Sequence, residues 1–177
     1  MNAIQTNVQV FELLKKELQA SNPAENALLQ WAFSAFYGMT RVSPDKRFPL
    51  FQKMAEIKIN SNDLDAKEIT ESLRLSMEKN YFSFVTKMLN LVDDEKYPIY
   101  DSHVAAIFEK PHVRGEDRLS HQMSVYQDII ELYKNLRDHT VISRFRAQFN
   151  CPDMGYMKIL DSIFWVIGRN LLESDEE

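Results

Sequence analysis

Tyr97-Pro98-Ile99-Tyr100-Asp101-Ser102-His103 is the stretch on which the fold turns. Pro98 fixes its own φ, has no N–H to give a helix, and pushes the residue before it towards extended backbone. Tyr97 to Tyr100 therefore reads as an extended break. Asp101 or Ser102 then supplies the side-chain oxygen that starts a short helix through Phe108. No convincing partner strand occurs anywhere else in the chain, so the break joins helices and the expected fold class is all-α.

Helical periodicity extends from the break in both directions. On the N-terminal side, Phe82, Val85, Leu89 and Val92 form one stripe of a helix that Asp93-Asp94-Glu95-Lys96 ends. Before it, Ile69, Leu73 and Met77 recur at helical spacing, preceded by an Asn60-Ser61-Asn62 loop and a short helix ending near Ile57. Gly38 to Pro49 reads as a basic connection. The segment from Ala24 to Tyr37 is apolar around most of its circumference, which predicts a central helix. Ser21-Asn22-Pro23 is a stop and restart, with Pro23 in the first turn of that helix. A first helix runs from about Val8 to Ala20, with Val10, Leu13, Leu14 and Leu18 on its inner side. On the C-terminal side follow a polar loop from Lys110 to Leu119 and an amphipathic helix from Ser120 to about Asp138. Two more helices are expected, from Val141 to Phe149 and from about Gly155 to Leu172.

The chain has 177 residues, 45% of them hydrophobic and 27% charged, enough for one domain over 1–177 with a real core. No linker or repeat divides it, and residues 173–177 form a short acidic tail. Gly is scarce at 4 and Pro at 6, which favours helices over turn-rich sheets. One cysteine, Cys151, excludes an internal disulfide and a cysteine-built metal cage. No signal peptide or membrane-length apolar run is visible, so the expected location is the cytoplasm. The net charge of −5 argues against a high-affinity, non-specific nucleic-acid binder.

Several residues carry candidate chemistry. Asp101 is a carboxylate at a helix start, open to both a catalytic and a capping role. His103, in the first turn after it, is a candidate base or a packing histidine. His112, His121 and His139 are scattered, and none forms the i, i+4 pair with a carboxylate that a helical metal site needs, so no metal is expected. Four dispersed glycines give no phosphate cradle, and Cys151 has no evident histidine partner, so no cofactor is expected. Arg41, Lys46, Arg47 and Lys53, with Lys58, are close enough in sequence to contact phosphates as one patch, or to be a solvated face above core-facing Phe48 and Phe51. Trp31, Phe36, Phe164 and Trp165 read as core aromatics.

The run Phe82-Ser83-Phe84-Val85-Thr86-Lys87-Met88-Leu89, followed by Tyr97-Pro98-Ile99-Tyr100-Asp101-Ser102-His103-Val104, resembles the helix-hairpin-helix DNA glycosylase superfamily. Together with Leu160-Asp161-Ser162-Ile163-Phe164-Trp165-Val166-Ile167-Gly168-Arg169, it also resembles a group of uncharacterised bacterial proteins. The resemblance implies a glycosylase-like helical fold, DNA as partner, Asp101 assisting removal of a damaged base, and a lysine nucleophile at the hairpin. Either Ser83 or Lys87 stands at that lysine's position. The family's hairpin glycines are replaced by Glu78-Lys79-Asn80-Tyr81-Phe82, and its iron–sulfur motif is absent.

Two functions follow as expectations. In one, the chain acts on or binds DNA: Asp101 stabilises positive charge on a sugar, Tyr100 lines a base pocket, and Lys87 is the candidate nucleophile. In the other, it is a non-catalytic helical accessory or protein-interaction domain, and Asp101 is a structural cap.

Overall fold

The structure is a computed structural model that describes residues 3–59, 64–77, 79–108 and 118–174. Among these residues there are nine helices and no strand, so the chain is all-α. They are α1 (Ala3–Ala20), α2 (Ala27–Phe36), α3 (Pro44–Ile59), α4 (Ala66–Met77), α5 (Phe82–Val92), α6 (Ser102–Ala106), α7 (Arg118–Asn135), α8 (Thr140–Phe149) and α9 (Tyr156–Ser174). The Asn60-Ser61-Asn62 loop, His112, most of the polar loop before α7 and the last residues of the acidic tail lie outside the described residues. The chain divides into two compact units, Met1–Val92 and Asp93–Glu177. The sequence reading names no division. The boundary falls where the acidic Asp93-Asp94-Glu95 run ends α5.

In the first unit α5 is the central helix. Phe82, Val85, Met88 and Leu89 are fully buried, and so are the polar Thr86 and Asn90. The expectation that α2 is central is corrected: Leu29, Phe33 and Ser34 face inward, whereas Leu28 and Trp31 are 62% and 67% exposed. An apolar circumference does not choose a face, and Phe33 is held inward by an edge contact with Phe51 of α3, ring centroids 5.7 Å apart. On α1 the inner stripe is Val8, Phe11, Leu14 and Leu18, and Leu13 is exposed. Those four residues repeat at 3, 3 and 4, the true helical period, which the adjacent Leu13-Leu14 pair obscured.

Two helix starts also differ from expectation. Pro23 sits in a turn, and Asn26 caps α2 by accepting from Leu29 N at 2.9 Å. The second half of the basic connection is helical, since Pro44 opens α3 with Asp45 in its first turn. Arg47 N donates to Ser43 O at 3.1 Å. Pro49 is accommodated inside this helix. At the far end of α3, Lys58 Nζ donates to Gln19 O at 3.1 Å and Ser21 O at 2.8 Å, satisfying carbonyls left open at the end of α1.

In the second unit the N-terminal half of α9 is buried almost all round, from Tyr156 to Asp161. Its start is fixed by Asp94, whose Oδ2 accepts from Gly155 N at 2.8 Å. Arg146 of α8 donates from Nε and Nη2 to Met154 O at 3.0 and 2.7 Å. Asn150, at φ 51°, takes the left-handed conformation that ends α8. Cys151 is buried. Further along, α9 crosses α6 so closely that a Cβ built on Gly168 would stand 1.8 Å from His103 O.

Candidate functional site around Asp101

The extended break is internal. Tyr97, Ile99 and Tyr100 are buried, and the Pro98 carbonyl is satisfied by the Tyr126 hydroxyl of α7, which donates at 3.2 Å. Burial carries the Tyr126 phenol far above the ordinary tyrosine range, with the neighbouring Tyr97 adding to the rise. Tyr100 is also raised by burial; its hydrogen bond with Gln122 and the charge of Arg118 oppose this, and the Asp101 charge adds to it.

Asp101 leaves the break with φ −132° and ψ 152°, the extended geometry of an N-cap. Its Oδ1 accepts from His103 N at 3.0 Å and lies 2.9 Å from His103 Nδ1. One carboxylate oxygen therefore starts the helix and aims the imidazole. A neutral ring in this position keeps its proton on Nδ1 and presents Nε2 as an acceptor; a protonated ring makes a charge-assisted pair. The Asp101 side chain is 17% exposed and that of His103 32%, so the imidazole is the more solvent-accessible partner. The His103 ring packs against Trp165 of α9, centroids 5.1 Å apart. Arg169 lies 5.3 Å from the centre of the same indole and 3.6 Å from Glu173 Oε1.

Where α7 meets α9 lies a polar cluster that the sequence reading missed. Tyr133 of α7 is fully buried, its ring 5.3 Å from Phe164. One turn earlier on α9, Asp161 Oδ2 accepts from Lys158 Nζ at 2.8 Å, with both side chains under a tenth exposed. Burial raises the Tyr133 phenol well above its ordinary range, and the charges of Asp161 and then Asp101 push it the same way. Asp161 entered the sequence reading only as part of the Leu160 to Arg169 stretch. A lysine and an aspartate at i, i+3, Lys158 and Asp161, amid apolar neighbours were the available signal.

The other candidates lie in the first unit. Lys87 is buried on α5, with Nζ 5.3 Å from the centre of the Phe84 ring and 5.7 Å from that of Tyr37. Ring faces attract a charged ammonium, whereas an amine nucleophile must shed its proton. Ser83 sits one turn earlier, its carbonyl accepting from Thr86 Oγ1 at 3.0 Å. Asn80 Oδ1 accepts from Phe82 N at 2.9 Å, so a side chain opens α5 where the resembled family uses glycine backbone. Lys87 and Asp101 thus belong to different units.

The basic residues do not share one helix face. At about 100° per residue, Lys46 and Lys53 lie roughly 100–140° around α3 from Arg47 and Lys58. Lys53 is paired with Glu56, and Lys58 is engaged at the end of α1. Arg41 is exposed before the helix begins. Of the interleaved aromatics, Phe51 is core and Phe48 is exposed. Charge is also uneven. The first unit has 11 Lys and Arg against 10 Asp and Glu, a net +1; the second has 10 against 16, a net −6, together the −5 of the chain.

No group of three or more His, Cys, Asp or Glu side chains placed to hold a metal ion occurs among the described residues, and no described helix is long and apolar enough to cross a membrane. Comparison of the chain with protein-family models, curated proteins and solved structures returns no match.

Proposed function

We propose that this chain is a non-catalytic helical interaction domain of the cytoplasm in which Asp101 is structural. The observation that carries the reading is the commitment of Asp101 Oδ1 to two donors of His103 at the start of α6. The negative charge of the Asp101-bearing unit supports it, because phosphate binding rests on cationic surface. The uncharged α2, with Leu28 and Trp31 turned outward, supplies an apolar surface suited to protein contact. The test is Asp101→Asn, which keeps a capping oxygen and removes the charge. The expected result is unchanged folding, no base release from a panel of damaged duplexes by either protein, and the same weak DNA binding by both.

A second reading is favoured by one observation: the Asp101 and His103 side chains stay partly open to solvent. In that reading the chain is DNA-binding or glycosylase-like, and Asp101 stabilises charge on a sugar. Base release by the wild-type chain, lost in Asp101→Asn, would establish it and overturn the first.

A further inference from the structure

We infer that the outward face of α2 is a weak homodimer interface, closed by the same face of a second copy of this chain. The inference rests on the interaction-domain reading and names its partner. Ala27, Leu28, Trp31 and Ala35 are the exposed residues of the helix, and at about 100° per residue they fall within one arc of about 100°. Leu28 and Trp31 are the large side chains of that arc, each more than half exposed. None of the ten residues of α2 is ionisable. The core of a protein interface differs from ordinary surface by its lack of charge and its aromatic anchors, and this face has both features.

Charge and shape choose a second copy. A partner recognised through charge finds none on α2 to pair with, whereas an identical face is equally uncharged. The first unit nets +1, so two copies meet there without appreciable repulsion. Ala27, Trp31 and Ala35 follow at four-residue steps and form a single ridge, small, large, small. When two such ridges cross antiparallel about a two-fold axis beside Trp31, Ala27 of each copy faces Ala35 of the other. Each indole then fills the gaps that the other copy's alanines leave. The area sets the strength. Covering the open parts of this face on both copies hides about 600–800 Å², against about 1,200 Å² for the smallest stable interfaces. The dimer is therefore reversible and forms at high concentration.

Sedimentation velocity of the full chain from about 1 μM to about 1 mM tests the inference, with acrylamide quenching of Trp31 followed in Trp165→Phe. The expected result is a shift from monomer to dimer as concentration rises, with Trp31 shielded and its emission moved to the blue. Trp31→Gln, which leaves the buried side of α2 intact, should weaken the dimer about tenfold or more. Ala27→Lys and Ala35→Glu should each abolish it, and an equimolar mixture of the two should restore a heterodimer. A wild-type chain still monomeric at the highest concentration overturns the inference. So does a dimer that leaves Trp31 open to quencher, survives Trp31→Gln, or is not restored by the mixture. Shielding of Trp31 only on addition of phosphatidylcholine vesicles assigns the face to lipid and overturns it as well. A monomer that releases no base overturns this inference alone, whereas a dimer that releases base supports it and overturns the non-catalytic reading.

Discussion

Gly168 and Asp101 give opposite lessons about single residues. In a helix, exchanging Gly for Ala ordinarily gains up to about 1 kcal/mol. At Gly168 the added Cβ would meet the backbone oxygen of His103 at 1.8 Å, and backbone cannot rotate aside. Overpacking of this kind costs about 3 kcal/mol, so the clash wins. Gly168→Ala should therefore lower the urea midpoint of the second unit, and a raised midpoint would show that the crossing of α6 over α9 is looser than described. Asp101 is a matter of degree: Asp101→Ala should lose about 1 kcal/mol of the cap, while Asp101→Asn should stay within a few tenths. Equal losses in the two variants would mean that the charge, not the capping oxygen, does the stabilising. The cap was legible in the sequence because Asp and Ser follow a proline break. The aiming of His103 was not, because an Asp at i and a His at i+2 meet only when the helix start bends the backbone between them. Tyr133 was hidden for another reason: its place on α7 reads as core, and only the fold sets it against Phe164 of α9.

Periodicity located most of the helices to within a few residues, since each buries a recurrent apolar stripe. It failed where a segment was apolar on every side. α2 carries no charge to mark its outer face, and Trp31 turned outward while Phe33 turned in. Trp31→Gln should consequently change stability by less than about 0.5 kcal/mol, whereas Phe33→Ala should cost about 3–5 kcal/mol. Urea titrations of both variants check the assignment, and a Trp31 variant as damaged as the Phe33 one would return α2 to the core. The basic segment misled in the same way. Read as a connection it looked like one patch, but winding it into α3 spreads its cations around the helix and spends Lys58 on the end of α1. Removing that amine in Lys58→Met should cost about 1 kcal/mol while leaving the apolar stem in place.

At the scale of the whole molecule, four phenols raised by burial fall in one of the two units. Tyr100, Tyr126, Tyr133 and Tyr156, all raised above the ordinary tyrosine value of 10.0 chiefly by burial, belong to the unit that begins at Asp93. For a group whose folded pKa is raised, stability is intact below the unfolded pKa and is lost as pH climbs from there towards the folded value. Below about pH 10 these phenols keep their protons in both states and cost nothing. Above it the unfolded chain sheds protons that the folded unit retains. Each such group then removes up to about 1.4 kcal/mol per pH unit, so Tyr126 and Tyr133 together remove nearly 3 kcal/mol. The chain carries its own reporters, since Trp31 lies in the first unit and Trp165 in the second. Urea titrations of Trp165→Phe and Trp31→Phe, each followed by the remaining indole, should give midpoints that change little from pH 7 to pH 9. Between pH 10 and pH 11 the Trp165 midpoint should fall well before that of Trp31. A parallel fall would mean that the two units unfold as one, and an earlier loss at Trp31 would move the alkaline weakness to the first unit.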